Sequence, residues 1–151
     1  MNRDMPFTPP PRRVLAVDYG ARRVGLALSD PTGLLASPLQ VIDAEPLDTL
    51  ARRVASLAEE HHARLILVGL PRNMDGSLGA AADTVLTWVE ELKQACSGND
   101  CSIKTIDERM STLQASRLLR EAGRNAKAQK TRIDSASAQV LLQSYLDGVG
   151  S

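Results

Sequence analysis

Along this chain the spacing of apolar residues changes period several times, and each change marks an element. Arg13 to Asp18 reads as a strand in which Val14, Leu15, Ala16 and Val17 run together before a carboxylate. A strand that is apolar at successive positions is buried on both faces. Val24 to Leu28 is a second such run, and the Asp30-Pro31-Thr32-Gly33 turn leads to a third strand over Leu34 to Ile42. Strands joined by tight turns form an antiparallel meander. From Pro46 the period becomes helical, with Leu47, Leu50, Ala51, Val54, Leu57 and Ala58 on one face and Arg52, Arg53, Glu59 and Glu60 opposite. Leu65 to Gly69 suits a buried strand, and a strand reached through a helix pairs in parallel. A second helix carries Ala81, Val85, Trp88, Val89 and Leu92. The one Trp lies on that stripe, which assigns it to core packing and not to base stacking.

The fifth strand, Ser102 to Ile106, ends at Asp107-Glu108-Arg109. Ser111 and Gln114 make a capping-box start for a helix with Ala115, Leu118, Leu119 and Ala122 on its buried stripe, and Gly123 stops it. Arg124 to Arg132 has no large apolar residue and reads as mobile. A last helix runs from about Asp134 to Leu146 and offers Ala138, Leu141, Leu142, Tyr145 and Leu146 for packing. This order of elements predicts an α/β fold of the RNase H-like arrangement: a five-stranded mixed sheet, first three strands antiparallel and the later ones parallel, flanked by helices. Half of an actin-like ATPase has the same core. The Pro-rich residues 1–12 are expected to be disordered, and 13–148 to form a single domain.

Composition narrows the picture little. Eighteen basic residues balance eighteen acidic ones, so any polyanion site must be a local patch. Cys96 and Cys101 lack the further Cys or His of a zinc set and read as reduced thiols beside a loop, a disulfide being the second choice. No apolar run has signal-peptide or membrane-spanning length, which leads to the expectation of a soluble cytoplasmic protein with no membrane partner.

The chemistry rests on acids at element ends. Burying an unpaired carboxylate costs several kcal/mol or more, so Asp18 is protonated, paired or holding a cation, unless it simply opens a turn. If strand five lies near strand one, Asp18 and Glu108 converge at one edge of the sheet and Asp134 closes the third side. Converging carboxylates without His or Cys select Mg²⁺ or Mn²⁺ over zinc. Each acid also has a purely structural reading: Asp134 as a helix N-cap, Glu108 in a surface ion pair with Arg109. Asp30, Asp75 and Asp107 read as turn or strand-end residues. Arg22 and Arg23, with Arg124, Lys127, Lys130 and Arg132, supply cations for phosphates near the acids.

Four stretches together resemble one known family: V-D-Y-G-A-R-R-V-G-L-A at 17–27, V-G-L-P-R-N-M-D-G-S at 68–77, D-E-R-M-S-T at 107–112 and R-I-D-S-A-S-A-Q-V-L-L-Q-S-Y-L at 132–146. The sequence is similar to the YqgF/RuvX family of bacterial Holliday junction resolvases, also described as pre-16S rRNA nucleases. Met110, Leu78 and Ala80 depart from the residues usual there, and none is one of the acids. The resemblance implies an RNase H-like nuclease with catalytic and metal-ligating acids at Asp18, Glu108 and Asp134 and two Mg²⁺ or Mn²⁺ ions. The substrate it implies is either a pre-16S rRNA 5′ end or a four-way DNA junction, the latter calling for a homodimer. The family's loop after the fourth strand maps to Pro71, Asn73, Asp75 and Gly76, as a phosphate-contacting rim or a rigid turn. Two other classes stand beside this expectation: a non-catalytic nucleic-acid-binding protein, and an actin-like nucleotide-binding ATPase fragment.

Overall fold

The strands expected from the apolar runs are all present in the computed structural model, which describes residues 13–71, 75, 77–107 and 137–148. They are β1 (Arg13–Asp18), β2 (Arg23–Ser29), β3 (Ala36–Asp43), β4 (Ala63–Leu70) and β5 (Ser102–Asp107), with helices α1 (Leu47–Glu60) and α2 (Ala80–Ala95) between them. A helix α3 occupies 137–148. The sheet order is β3-β2-β1-β4-β5. β1, β2 and β3 pair antiparallel, while β1, β4 and β5 run parallel, as the helical crossovers require. This is the mixed RNase H-like sheet expected from the element order, with β4 standing between β1 and β5.

Alternation along the strands sorts the core into two layers. Leu15 and Val17 of β1, Val24 and Leu26 of β2, and Ile66 and Val68 of β4 pack with Leu50 and Val54 of α1 and Val85, Trp88 and Leu92 of α2. Val14, Ala16, Ala27, Ala36 and Leu67 face the other way, against Ala138, Leu141, Leu142 and Leu146 of α3. Trp88 is 3% exposed, as its place on the stripe predicts, and stacks at 5.1 Å and 45° on Tyr19. Ala81, expected on that stripe, is exposed, and Ala82 takes its place in the core. Leu47, also expected on a buried face, is 46% exposed.

β3 begins at Ala36, two residues later than the hydrophobic run suggests. The reason is the turn: Asp30 Oδ1 accepts the N–H groups of Leu34 and Leu35 at 2.9 and 3.0 Å, and the Thr32 hydroxyl donates to the same carboxylate. These bonds hold the Asp30 carboxyl down at about 2, the Leu35 N–H contributing most, and confirm Asp30 as a turn residue. Two glutamines fix α3 to this end of the sheet. Gln143 accepts from Ala36 N–H at 2.9 Å and donates to Leu34 C=O at 3.0 Å, and Gln139 donates to Ala36 C=O at 3.2 Å. Because Gln143 reaches further back toward the turn than Gln139, α3 advances away from the edge where Asp18 sits, and its N-terminal end points toward that edge.

Cys96 and Cys101 are free thiols on either side of the α2–β5 loop; burial and the neighbouring Cys96 push Cys101 up to about 11. The expected helix over 111–122, the basic run 124–132 and the lead-in 1–12 lie outside the described residues.

Candidate active site at the carboxyl edge of the sheet

β1, β4 and β5 all end on one edge, at Asp18, Leu70 and Asp107. In parallel sheets this is the edge where sites form, because the loops that follow are free of the packing that orders the strands. Asp18 shares its face of β1 with Val14 and Ala16, so it belongs to the α3 side, while Leu15, Val17 and Tyr19 belong to the other.

The residues beside Asp18 explain how a carboxylate is tolerated there. Its direct partner on β2 is Gly25. On β4, Val17 is level with Val68, which makes Gly69 the residue level with Asp18 on the same face. Asp18 is therefore half-buried at the end of a buried strand with a glycine on each side. Strand glycines mark places where a ligand or another backbone comes close. A hard oxygen donor at such a place suits a divalent cation of the Mg²⁺ or Mn²⁺ type. Sequence reasoning passed over Gly25 and Gly69 as site-forming residues, although a glycine inside an otherwise apolar strand was a visible signal.

β5 is level with the site but one strand removed, about 10 Å from β1 by the usual strand spacing. Its even positions, Lys104 and Ile106, face α3: the Lys104 ammonium lies 5.3 Å from the Tyr145 ring and Ile106 packs on the α3 layer. Asp107 has the opposite parity and so does not share Asp18's face. Glu108 and Asp134 lie outside the described residues, as do Arg124, Lys127, Lys130 and Arg132. Among the described residues no three His, Cys, Asp or Glu side chains come together.

The loop after β1 is tightly built. A Cβ on Gly20 would lie 2.4 Å from the carbonyl oxygen of Arg23, so only glycine fits that turn. Arg22 is exposed at the tip, and its carbonyl accepts the Ala44 N–H at 2.8 Å, tying the loop to the β3–α1 connection. Arg23, half-buried at the start of β2, stands opposite Asp43 at the end of β3 in the strand register. Tyr19 packs on the opposite layer; its hydroxyl is pushed up by burial and, secondarily, by Glu91. Pro71 follows β4 directly, and beyond it Asp75 Oδ1 accepts from Ser77 N–H at 2.9 Å and from the Ser77 hydroxyl at 2.6 Å. That bonding makes an Asx-type turn. Asn73 and Gly76 lie outside the described residues.

The chain matches the family model described as RuvX, Holliday junction resolvase, over residues 12–148. A candidate pre-16S rRNA nuclease of Roseiflexus sp. strain RS-1 is 39% identical over 137 residues, which covers 91% of this chain and 95% of the relative. Among solved structures, Thermus thermophilus RuvC in complex with a Holliday junction substrate superposes with a TM-score of 0.56 at 15% identity, covering 92% of this chain and 96% of that one. The Fowlpox virus resolvase bound to Holliday junction DNA gives 0.55 at 10% identity, over 92% and 99%. At such identities the two superpositions speak for the fold.

Proposed function

This chain belongs to the RuvX family of Holliday junction resolvases, and from that premise we propose that it is a metal-dependent endonuclease hydrolysing phosphodiester bonds in structured nucleic acid. The observation that carries the reading is Asp18, half-buried at the carboxyl end of β1 with Gly25 and Gly69 beside it. A hard oxygen donor between two strand glycines, at the edge where three parallel strands end, is what a divalent-cation site needs.

Asp18 is the central ligand, and Glu108 and Asp134 complete the set for two Mg²⁺ or Mn²⁺ ions. Both lie outside the described residues; in sequence Glu108 directly follows β5 and Asp134 precedes the described part of α3 by three positions. Divalent ions held there would supply a metal-activated water as nucleophile at neutral pH and offset the charge developing on the leaving oxygen. Asp18 would hold the cations against the scissile phosphate. Arg22, on the glycine-shaped loop beside it, holds a flanking phosphate, with Arg23 at the loop's base. Arg124, Lys127, Lys130 and Arg132 contact the backbone beyond. For the loop of Pro71, Asn73 and Gly76 the two roles stand side by side, a phosphate-contacting rim or a structural turn, and the Asp75–Ser77 bonding supports the second.

Two substrates are open to such a site. The names of the relatives point to the 5′ end of pre-16S rRNA, which takes one cut; the family description points to four-way DNA junctions, which take two symmetric cuts and hence a homodimer. Among the described residues no helix is long and apolar enough to cross a membrane.

The test offers the protein and Asp18→Asn a four-way DNA junction, linear duplex DNA, single-stranded RNA and 5′-extended 16S rRNA, each with Mg²⁺ or Mn²⁺. Wild type is expected to cut a structured substrate only, with paired symmetric products identifying the junction and one 5′ product the rRNA. Asp18→Asn should cut none of them at any metal concentration. Cleavage by that variant at the wild-type rate would overturn the proposal.

A further inference from the structure

A second cationic feature begins where the β1–β2 loop ends. Ala44 N–H binds the Arg22 carbonyl, and the carbonyl of the same Ala44 is gripped by Arg53 from α1. The Arg53 guanidinium donates to Asp43 C=O at 2.8 Å, to Ala44 C=O and Pro46 C=O at 3.1 Å each, and to the Thr49 hydroxyl at 3.2 Å. All four acceptors are neutral. The geometry of the guanidinium is thus fixed by hydrogen bonds while its charge is left uncompensated, unlike an Arg paired with a carboxylate.

Arg53 stands at the head of a groove of about 590 Å³ between β3 and α1, also lined by Gln40, Ile42, Thr49, Arg52 and Ser56. Arg52 is exposed and makes no hydrogen bond or ion pair among the described residues. Ile42 and Leu57 give an apolar floor, and the polar lining between the two arginines consists of amide and hydroxyl groups. Glu60 closes the far end, and Asp48, at the start of α1, lines the neighbouring cavity beside Tyr19. Two cations at one end of a groove whose single lining carboxylate, Glu60, lies at the other end suit the phosphates of a nucleic-acid backbone. From Thr49 to Ser56 the helix rises about 10 Å, close to three nucleotide steps of a duplex strand.

We propose that this β3–α1 groove binds the sugar-phosphate backbone of the substrate as it leaves the Asp18 edge past Arg22, with Arg52 as the phosphate ligand and Arg53 as the fixed charge at its head. The inference rests on the nuclease reading and extends it: the substrate is one whose flanking helix or strand wraps from the carboxyl edge around β3, the free edge of the sheet. Structured nucleic acids with an arm on each side of the cut meet that demand, and a short linear strand does not.

The experiment measures binding of a fluorescein-labelled four-way DNA junction and of a 5′-extended 16S rRNA fragment over a salt series, without divalent metal. Arg52→Gln, at an exposed helix position that leaves folding intact, is expected to weaken binding of the preferred probe about tenfold at low salt. It should also lower the salt slope by about 0.7 to 0.9, one phosphate contact. Arg52→Glu should weaken it further, and in cleavage assays the loss should fall on KM. Arg64→Gln, which removes a positive charge from the Arg64–Asp100 pair elsewhere on the surface, is the control for net charge and should bind as wild type. Wild-type affinity and slope in both Arg52 variants would overturn the groove while cleavage by wild type keeps the nuclease reading intact. Equal weakening in the Arg64 control would overturn it too, since the effect would then be a general field. A wild-type protein that neither binds nor cuts either probe would overturn both.

Discussion

The two faces of the central sheet are built from the same strands and to opposite ends. Toward α1 and α2 the strands present Leu15, Val17, Leu26, Ile66 and Val68, large side chains closed over by Trp88 and Tyr19. Toward α3 they present Val14, Ala16, Ala27, Ala36 and Leu67, and at the carboxyl edge this face ends in Gly25 and Gly69 around Asp18. The first face stabilises by area: each fully buried Leu or Val contributes about 1.5–3 kcal/mol. The second gives up that contribution at its end to leave room for charge. A strand can serve both because its period of two separates the requirements residue by residue.

The sharpest way to break this contrast is at Asp18. Asp18→Asn should lower cleavage by roughly a thousandfold or more and leave the thermal melting curve close to wild type, since the carboxylate serves chemistry and not packing. A large loss of Tm with retained specific activity would reverse the assignment of the two faces. Leu15→Ala, one face over and three residues back, should do the opposite. It removes a fully buried side chain and should cost about 3 kcal/mol in a denaturant titration, while the fraction that remains folded cuts at nearly the wild-type rate.

Gly69→Val tests the glycines beside Asp18. A branched side chain level with Asp18 should displace the reacting groups and slow cleavage by about a hundredfold, and should weaken Mn²⁺ binding measured by calorimetry in the absence of substrate. Unchanged rate and Mn²⁺ affinity would show that the glycines serve strand packing alone. The smallest expected effect is at the far end of the sheet. The Asp30 carboxyl, held down at about 2 by the Leu35 and Leu34 N–H groups and the Thr32 hydroxyl, favours the folded turn above its unfolded value. That contribution is complete above about pH 4 and is lost as pH falls toward 2. Hydrogen exchange at Leu34 and Leu35 N–H should rise over that window in wild type, relative to its intrinsic rate, and not in Asp30→Ala.

Much of this was legible in the chain. Runs such as Val14–Val17 and Leu65–Val68 announce strands buried on both faces, and the 3.6 spacing of Leu50, Val54 and Leu57 announces α1. Asp30 is a turn residue in both views. The errors are local and have local causes. Leu34 and Leu35 are apolar and read as strand, yet their N–H groups are taken by Asp30, and both side chains are exposed. Ala81 and Ala82 are equivalent to a periodicity argument until α2 has a rotation about its axis, which the bulk of Trp88 and Leu92 decides.

What the sequence by itself determined is therefore everything that depends on residues close along the chain: the type and order of elements, the tight turn at Asp30, and the family to which the motifs belong. Which residues stand beside Asp18 was decided by the tertiary structure alone. Gly25 is its neighbour through an antiparallel register and Gly69 through a parallel one, and the groove at Arg53 exists only because α1 packs beside the edge strand β3. Register and packing are set by contacts between residues distant in sequence. A one-residue slip would turn every side chain of a strand to the other face, so the burial of the whole core selects the alignment that places two glycines around one acid.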